Sequence, residues 1–182
     1  MGYIEKVADD KFRETKGPDY ADYVIRMLRR FLDDVFTKWK MSLGSPQDFF
    51  DVLNNVDEKI NFTIECGKKI PFLDVSFEIS ENGELNTDIY YKETDTHNYV
   101  QFGSFHPRKT LMNIPYSLAR RICIIVSDPN RRSERWDELR GYLLAKKYPS
   151  GLIDSGIKRA SELDRCAILN SDLWDESEGS DN

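Results

Sequence analysis

The chain has 182 residues, 40% of them apolar and 32% charged, with a net charge of −6. That suffices for one domain with a real core, or two small ones, of a folded, water-facing kind. No apolar run approaches the roughly 18 residues of a membrane span, MGYIEKVADD lacks the apolar stretch of a signal peptide, and Cys66, Cys123 and Cys166 are too scattered for a disulfide framework; the expected setting is intracellular, nuclear or cytoplasmic, without a membrane and without secretion.

Residues 1–14 read as a short helix with Ile4, Val7 and Phe12 as its apolar positions, broken at Lys16-Gly17-Pro18. The next stretch has two readings. Tyr20, Val24, Met27 or Leu28, Phe31, Val35 and Trp39 recur at near-helical spacing, which favours one helix over 19–39. The alternative ends the helix near Met27 and pairs Leu28–Leu32 with Val35–Trp39 across a turn at Asp33-Asp34, since aspartate tolerates turns and the flanks favour strands. Gly44-Ser45-Pro46 opens a helix whose apolar face is Phe49, Phe50, Leu53 and Val56. INFTIE (60–65) and PFLDVSFEI (71–79) alternate as strands do, and Asn82-Gly83 marks a hairpin that returns through LNTDIYYK (85–92).

The last third changes period. Asn113 or Pro115 opens a helix with Leu118, Ile122, Ile125 and Val126 inside. Ser127-Asp128-Pro129 ends it and caps another, which carries Trp136, Leu139 and Leu143 on one face and Arg131, Arg132, Arg135 and Arg140 mostly on the other. Tyr148-Pro149-Ser150-Gly151 stops that helix, and a short one follows over Leu152–Ala160. Residues 104–147 hold ten Lys or Arg against four acids, whereas 161–182 hold seven acids against one Arg. A basic body could bind a polyanion, and the acidic end reads as a mostly disordered tail in which Trp174 could dock a partner. A pI of about 5.1 argues against indiscriminate nucleic-acid binding. His97 and His106 are too isolated for a metal site and read as turn or packing residues; Trp39, Trp136 and Cys123 read as core.

RRFLDDVF (29–36) sets two adjacent carboxylates between apolar runs. Magnesium takes hard oxygen ligands, commonly one or two carboxylates plus water and phosphate, so a rigid turn offering Asp33 and Asp34 suits phosphoryl transfer. Asp9-Asp10 is a second such pair without strand-like flanks, and reads as solvated helix.

Phe-Leu-Asp-Asp resembles the catalytic box of reverse transcriptases, and the order of the stretches around it resembles the reverse transcriptases of Penelope-like retroelements. GYIE (2–5) resembles the end of the helix after the family's nucleotide-binding box, and RRFLDDVFTKW (29–39) its catalytic hairpin. INFTIE, IPFLDVSFEI (70–79) and GELNTDIYYKETDTHNYV (83–100) resemble the palm's closing strands; SFHPRKTLMNIPYSLARRI (104–122) and GYLLAKKYPSGLID (141–154) resemble the thumb. The resemblance implies an α+β fold: a partial polymerase palm, an antiparallel sheet with packed helices, over 1–80, then a primer-grip-like hairpin and helical thumb over 81–160, then the tail. It implies that Asp33 binds Mg2+ directly with Asp34 in support. Arg108, Lys109, Arg120 and Arg121 would follow the backbone of an RNA/DNA template–primer, and Lys68 or Lys69 would contact the triphosphate unless they are simply solvated turn residues.

One part of the family's pattern is missing. A palm needs a third aspartate from an upstream strand, and a fingers region; neither has a counterpart here, which predicts a C-terminal portion that does not polymerise alone and whose partner would be an upstream half. Two rivals stand beside this reading: a nucleic-acid-binding helical module without chemistry, built on the basic helices at 113–147, and an inert retroelement remnant.

Overall fold

The computed structural model describes residues 3–40, 42 and 44–175. It is α+β, with seven helices and two small antiparallel sheets among the described residues, and it divides into two units, Met1–Gly67 and Lys68–Asn182. This division falls at Gly67/Lys68, whereas the boundary expected at residue 80 lies within the second sheet.

In the first unit, α1 (Tyr3–Lys16) ends at Gly17, whose φ of +93° a side-chain-bearing residue rarely adopts, and Pro18 then opens α2 (Pro18–Met27). The stretch 19–39 is therefore not one helix. After Leu28 the chain forms β1 (Arg29–Phe31) and β2 (Asp34–Phe36), with Phe31 opposite Asp34 and a turn at Leu32-Asp33. The reversal sits one residue earlier than at Asp33-Asp34, so Asp34 belongs to the strand. Ser45 caps α3 (Pro46–Asn54) by accepting from the Gln47 amide at 3.1 Å. Phe12 lies at the centre of this unit, 4.8 Å from the Tyr20 ring and 5.2 Å from Phe49, with Ala8, Ala21, Val24 and Leu53 around it and Trp39 packed against the cluster. INFTIE is irregular rather than a strand. The Asn54 side chain takes both backbone groups of Phe62, at 2.7 and 3.4 Å, and the rest of the stretch is exposed with no strand beside it.

The second unit begins with a three-stranded meander, β3 (Lys69–Phe72), β4 (Val75–Ile79) and β5 (Leu85–Ile89). PFLDVSFEI is thus two strands, not one: Phe72 pairs with Val75 across Leu73-Asp74. Both Leu-Asp turns place leucine in the left-handed region, Leu32 at φ +50° and Leu73 at +56°. The hairpin at Asn82-Gly83 forms as expected, with Gly83 at φ +80°.

Helix α4 (Arg108–Ile125) starts before Asn113 and carries Pro115 in its interior. Pro115 has no amide to give Leu111, but it is fully buried and faces Gly156 of α6 (Ser150–Ser161), where a Cβ would meet the Tyr116 nitrogen at 2.8 Å. Asp128 caps α5 (Pro129–Ala145). Ala119, Ile122, Val126, Leu139, Leu143, Ile153 and Ala160 close the core with Ile89 of β5. The expected disordered tail is helical over α7 (Arg165–Asp175), capped by Asp164; residues 176–182 and the Trp174 side chain lie outside the described residues.

Candidate nucleic-acid interface

Arg131, Arg132, Arg135 and Arg140, expected mostly on the face of their helix opposite Trp136, are each held by a hydrogen bond or an ion pair. Arg135 holds the Asp88 carboxylate of β5 with two nitrogens at 2.8 and 2.9 Å, reaches Glu138 at 2.7 Å, and lies over the Tyr91 ring at 5.3 Å. Arg131 grips the same carboxylate at 3.0 Å. Burial pushes the Asp88 carboxyl up, but the hydrogen bonds from Arg135 and Arg131 outweigh it and hold the group below its ordinary value. Arg132 donates to the carbonyls of Val126 and Ser127, Arg140 pairs with Asp154 at 2.9 Å, and Lys146 reaches Asn98. Arg121, expected on the nucleic-acid backbone, forms an ion pair with Asp74 at the β3–β4 turn. Arg121, Arg131 and Arg135 fasten the sheet to the helices. The fastening is completed by Ser127, whose amide donates to the Thr87 carbonyl and whose hydroxyl accepts from the Thr87 amide.

What remains without a side-chain hydrogen bond or ion pair in that basic stretch is Arg108, Lys109, Arg120 and Lys147, all exposed. Residues 96–127 contain no Asp or Glu at all. Arg108 and Lys109 stand in the first turn of α4, and Lys147, at φ +63°, stands in the α5–α6 turn. The Phe102 amide donates to the Lys146 carbonyl at 3.1 Å, which ties the loop before α4 to that turn. The helices are joined by three residues (126–128) and four residues (146–149), the short connections of a helix-turn-helix. Of the two histidines, His97 stacks on Tyr142 at 4.2 Å and meets Tyr91 edge-on, and His106 bonds the Ser104 hydroxyl at 2.9 Å.

A cleft of about 370 Å³ opens on the same unit, bounded by Tyr90, Tyr91, Lys92, Tyr99, Asp74 and Arg121. Burial raises the hydroxyl pKa values of Tyr91 and Tyr99 above the ordinary tyrosine value, so both stay neutral donors. Lys69 faces Glu78 across the β3–β4 pair at 3.2 Å, which favours a structural use over a triphosphate contact, while Lys68 is exposed.

The remaining expected site residues, Asp33 and Asp34, belong to the first unit. Both are exposed at the β1–β2 reversal, beside the exposed Phe31 and Leu32. Their oxygens suit a magnesium ion, which needs few protein ligands. Among the described residues no third His, Cys, Asp or Glu joins them, so they fit as part of a site and do not complete one.

Residues 98–158 match the family described as the animal helix-turn-helix domain. The matched stretch runs from Asn98 through α4 and α5 into α6, and is less than half of the chain. No curated protein and no solved structure matches it. Among the described residues no helix is long and apolar enough to cross a membrane. Arg108, Lys109 and Arg120 are three of the four cations the sequence suggested for a nucleic-acid backbone; that Arg121, the fourth, is paired with Asp74 was not visible in the sequence, and Lys147 was passed over.

Proposed function

We propose that the chain carries the end of the palm and the thumb of an RNA-directed DNA polymerase of the Penelope-like type, and that it grips a template–primer duplex. The observation that carries this reading is the tight reversal at Leu32-Asp33, which offers two neighbouring carboxylates from a strand pair. Asp33 would hold Mg2+ and Asp34 would support it; a bound ion there would neutralise charge on the phosphates. Arg108, Lys109 and Arg120 would meet backbone phosphates, which supply most sequence-independent affinity. With neither a third aspartate nor fingers in this stretch, the role proposed is binding rather than unaided polymerisation.

A second reading, a nucleic-acid-binding helical module without chemistry, is favoured by the helix-turn-helix match over 98–158. Fluorescence anisotropy with a labelled primer–template duplex separates the two. The polymerase reading predicts sequence-insensitive binding that weakens with salt, tightens with Mg2+, and loses that tightening in Asp33→Asn. Binding that ignores both Mg2+ and Asp33 supports the module instead, and no binding at low salt contradicts both.

A further inference from the structure

The segment Phe102–Thr110 has a feature that neither packing nor ion pairing uses. Phe105 is fully exposed, the most exposed of the large apolar side chains among the described residues. Leaving a phenylalanine in water forgoes about 1.5–3 kcal/mol of burial. It does not sit on a loose loop. Upstream, Phe102 packs on Tyr148 at 5.1 Å and its amide bonds Lys146; the Ser104 amide donates to Gln101 at 3.1 Å. Downstream, the Thr110 and Leu111 amides donate to the Pro107 carbonyl, and Leu111 is buried. The ring is therefore presented by a segment fixed at both ends, flanked by His106 and the unpaired cations Arg108 and Lys109, with no acid nearby in sequence.

We propose that Phe105 is a stacking residue for an unpaired base of the bound nucleic acid, with Arg108 and Lys109 on the phosphates that flank it. This rests on the nucleic-acid reading above and adds which part of the ligand is held: a single-stranded end or junction next to the duplex. An aromatic face accepts any base, because every base has a π-surface, and the adjoining cations supply backbone affinity. Charge complementarity selects a polyanion over an acidic-poor protein surface, and the absence of any acid in 96–127 keeps that surface open to it. A segment tied at both ends loses little backbone freedom when the ring stacks.

The test compares a blunt duplex with the same duplex bearing a short single-stranded overhang, with 2-aminopurine at the first unpaired position. Wild type should prefer the overhang and quench the 2-aminopurine. Phe105→Ala, at a position with no packing to lose, should weaken overhang binding by about ten- to hundred-fold, abolish quenching, and leave blunt-duplex affinity unchanged. Phe105→Tyr should restore both, and Arg108→Gln with Lys109→Gln should weaken overhang and blunt binding alike. If Phe105→Ala keeps the preference and the quenching, or if wild type shows neither, the stacking role is wrong while duplex binding stands. If Phe105 serves a protein partner instead, every nucleic-acid readout is indifferent to it, and the proposal also fails. Absence of binding to either duplex fails this inference together with the reading on which it rests.

Discussion

Gly156 shows how one missing carbon shapes the helical unit. An added Cβ would lie 2.8 Å from the Tyr116 nitrogen and 3.0 Å from the Pro115 carbonyl carbon, both backbone atoms that cannot swing aside. Gly156→Ala should therefore destabilise by about 1–3 kcal/mol despite alanine's better helix propensity. Gly151→Ala, in the same helix with nothing within 4 Å, should be neutral or slightly stabilising; urea denaturation of the two variants measures the difference. Asp88 carries the second residue-scale prediction. Its folded pKa is depressed, so the unfolded chain binds the extra proton, and the stabilisation is present above the unfolded value of about 3.9 and lost as pH falls through the folded value. Acid titration of wild type should show this loss beginning below about pH 4. Asp88→Asn should remove that component and cost about 1–3 kcal/mol at neutral pH, because Arg131 and Arg135 lose the charge they share. A variant with wild-type neutral stability and an unchanged acid limb would contradict this.

At the scale of the element, two turns share one sequence. Phe31-Leu32-Asp33 and Phe72-Leu73-Asp74 both reverse the chain with leucine at positive φ. For a leucine that conformation costs roughly 1–2 kcal/mol. Leu73→Gly should thus hold or raise stability, by up to about 1 kcal/mol after the entropy cost of glycine, and Leu73→Val should lower it by about 1 kcal/mol or more, since a β-branched residue tolerates left-handed backbone worst. Thermal melts check the order. The same turns mark what was legible in the sequence. Asn82-Gly83 announces its hairpin because Gly83, without a Cβ, takes the positive φ the turn needs, and Ser127-Asp128-Pro129 announces a helix start because Asp128 caps it. Leu73-Asp74 carries no such preference, so alternation of apolar residues made two strands look like one. INFTIE alternates equally well yet has no strand to pair with, and the start of α4 at Arg108 was hidden by Pro115, whose lost hydrogen bond is tolerated in the packed contact with α6.

At the scale of the whole molecule, the chain is two units with separate cores, and the exposed stretch 63–69 lies at their boundary. Trypsin should cut early at Lys68 and release a resistant piece beginning near Lys69, as expected of an exposed connection between compact units; mass spectrometry that finds early cuts inside α4 or α5 instead would contradict the division. The candidate site was legible only in outline. The carboxylate pair and a basic stretch stand out in the sequence, but which cations are free depends on partners such as Asp74, Asp88 and Asp154, which are remote in the chain from the arginines they neutralise. That distinction carries the central claim, which is that a nucleic-acid backbone is met by the few unpaired cations and not by the paired arginines. The most direct measurement is the salt dependence of duplex binding for wild type and for a variant with Arg108, Lys109 and Arg120 changed to Gln. The account predicts weaker binding for the variant at every salt concentration, and a log–log slope shallower by about 0.9 for each cation that meets a phosphate. Equal affinity and an equal slope in the two proteins would contradict it.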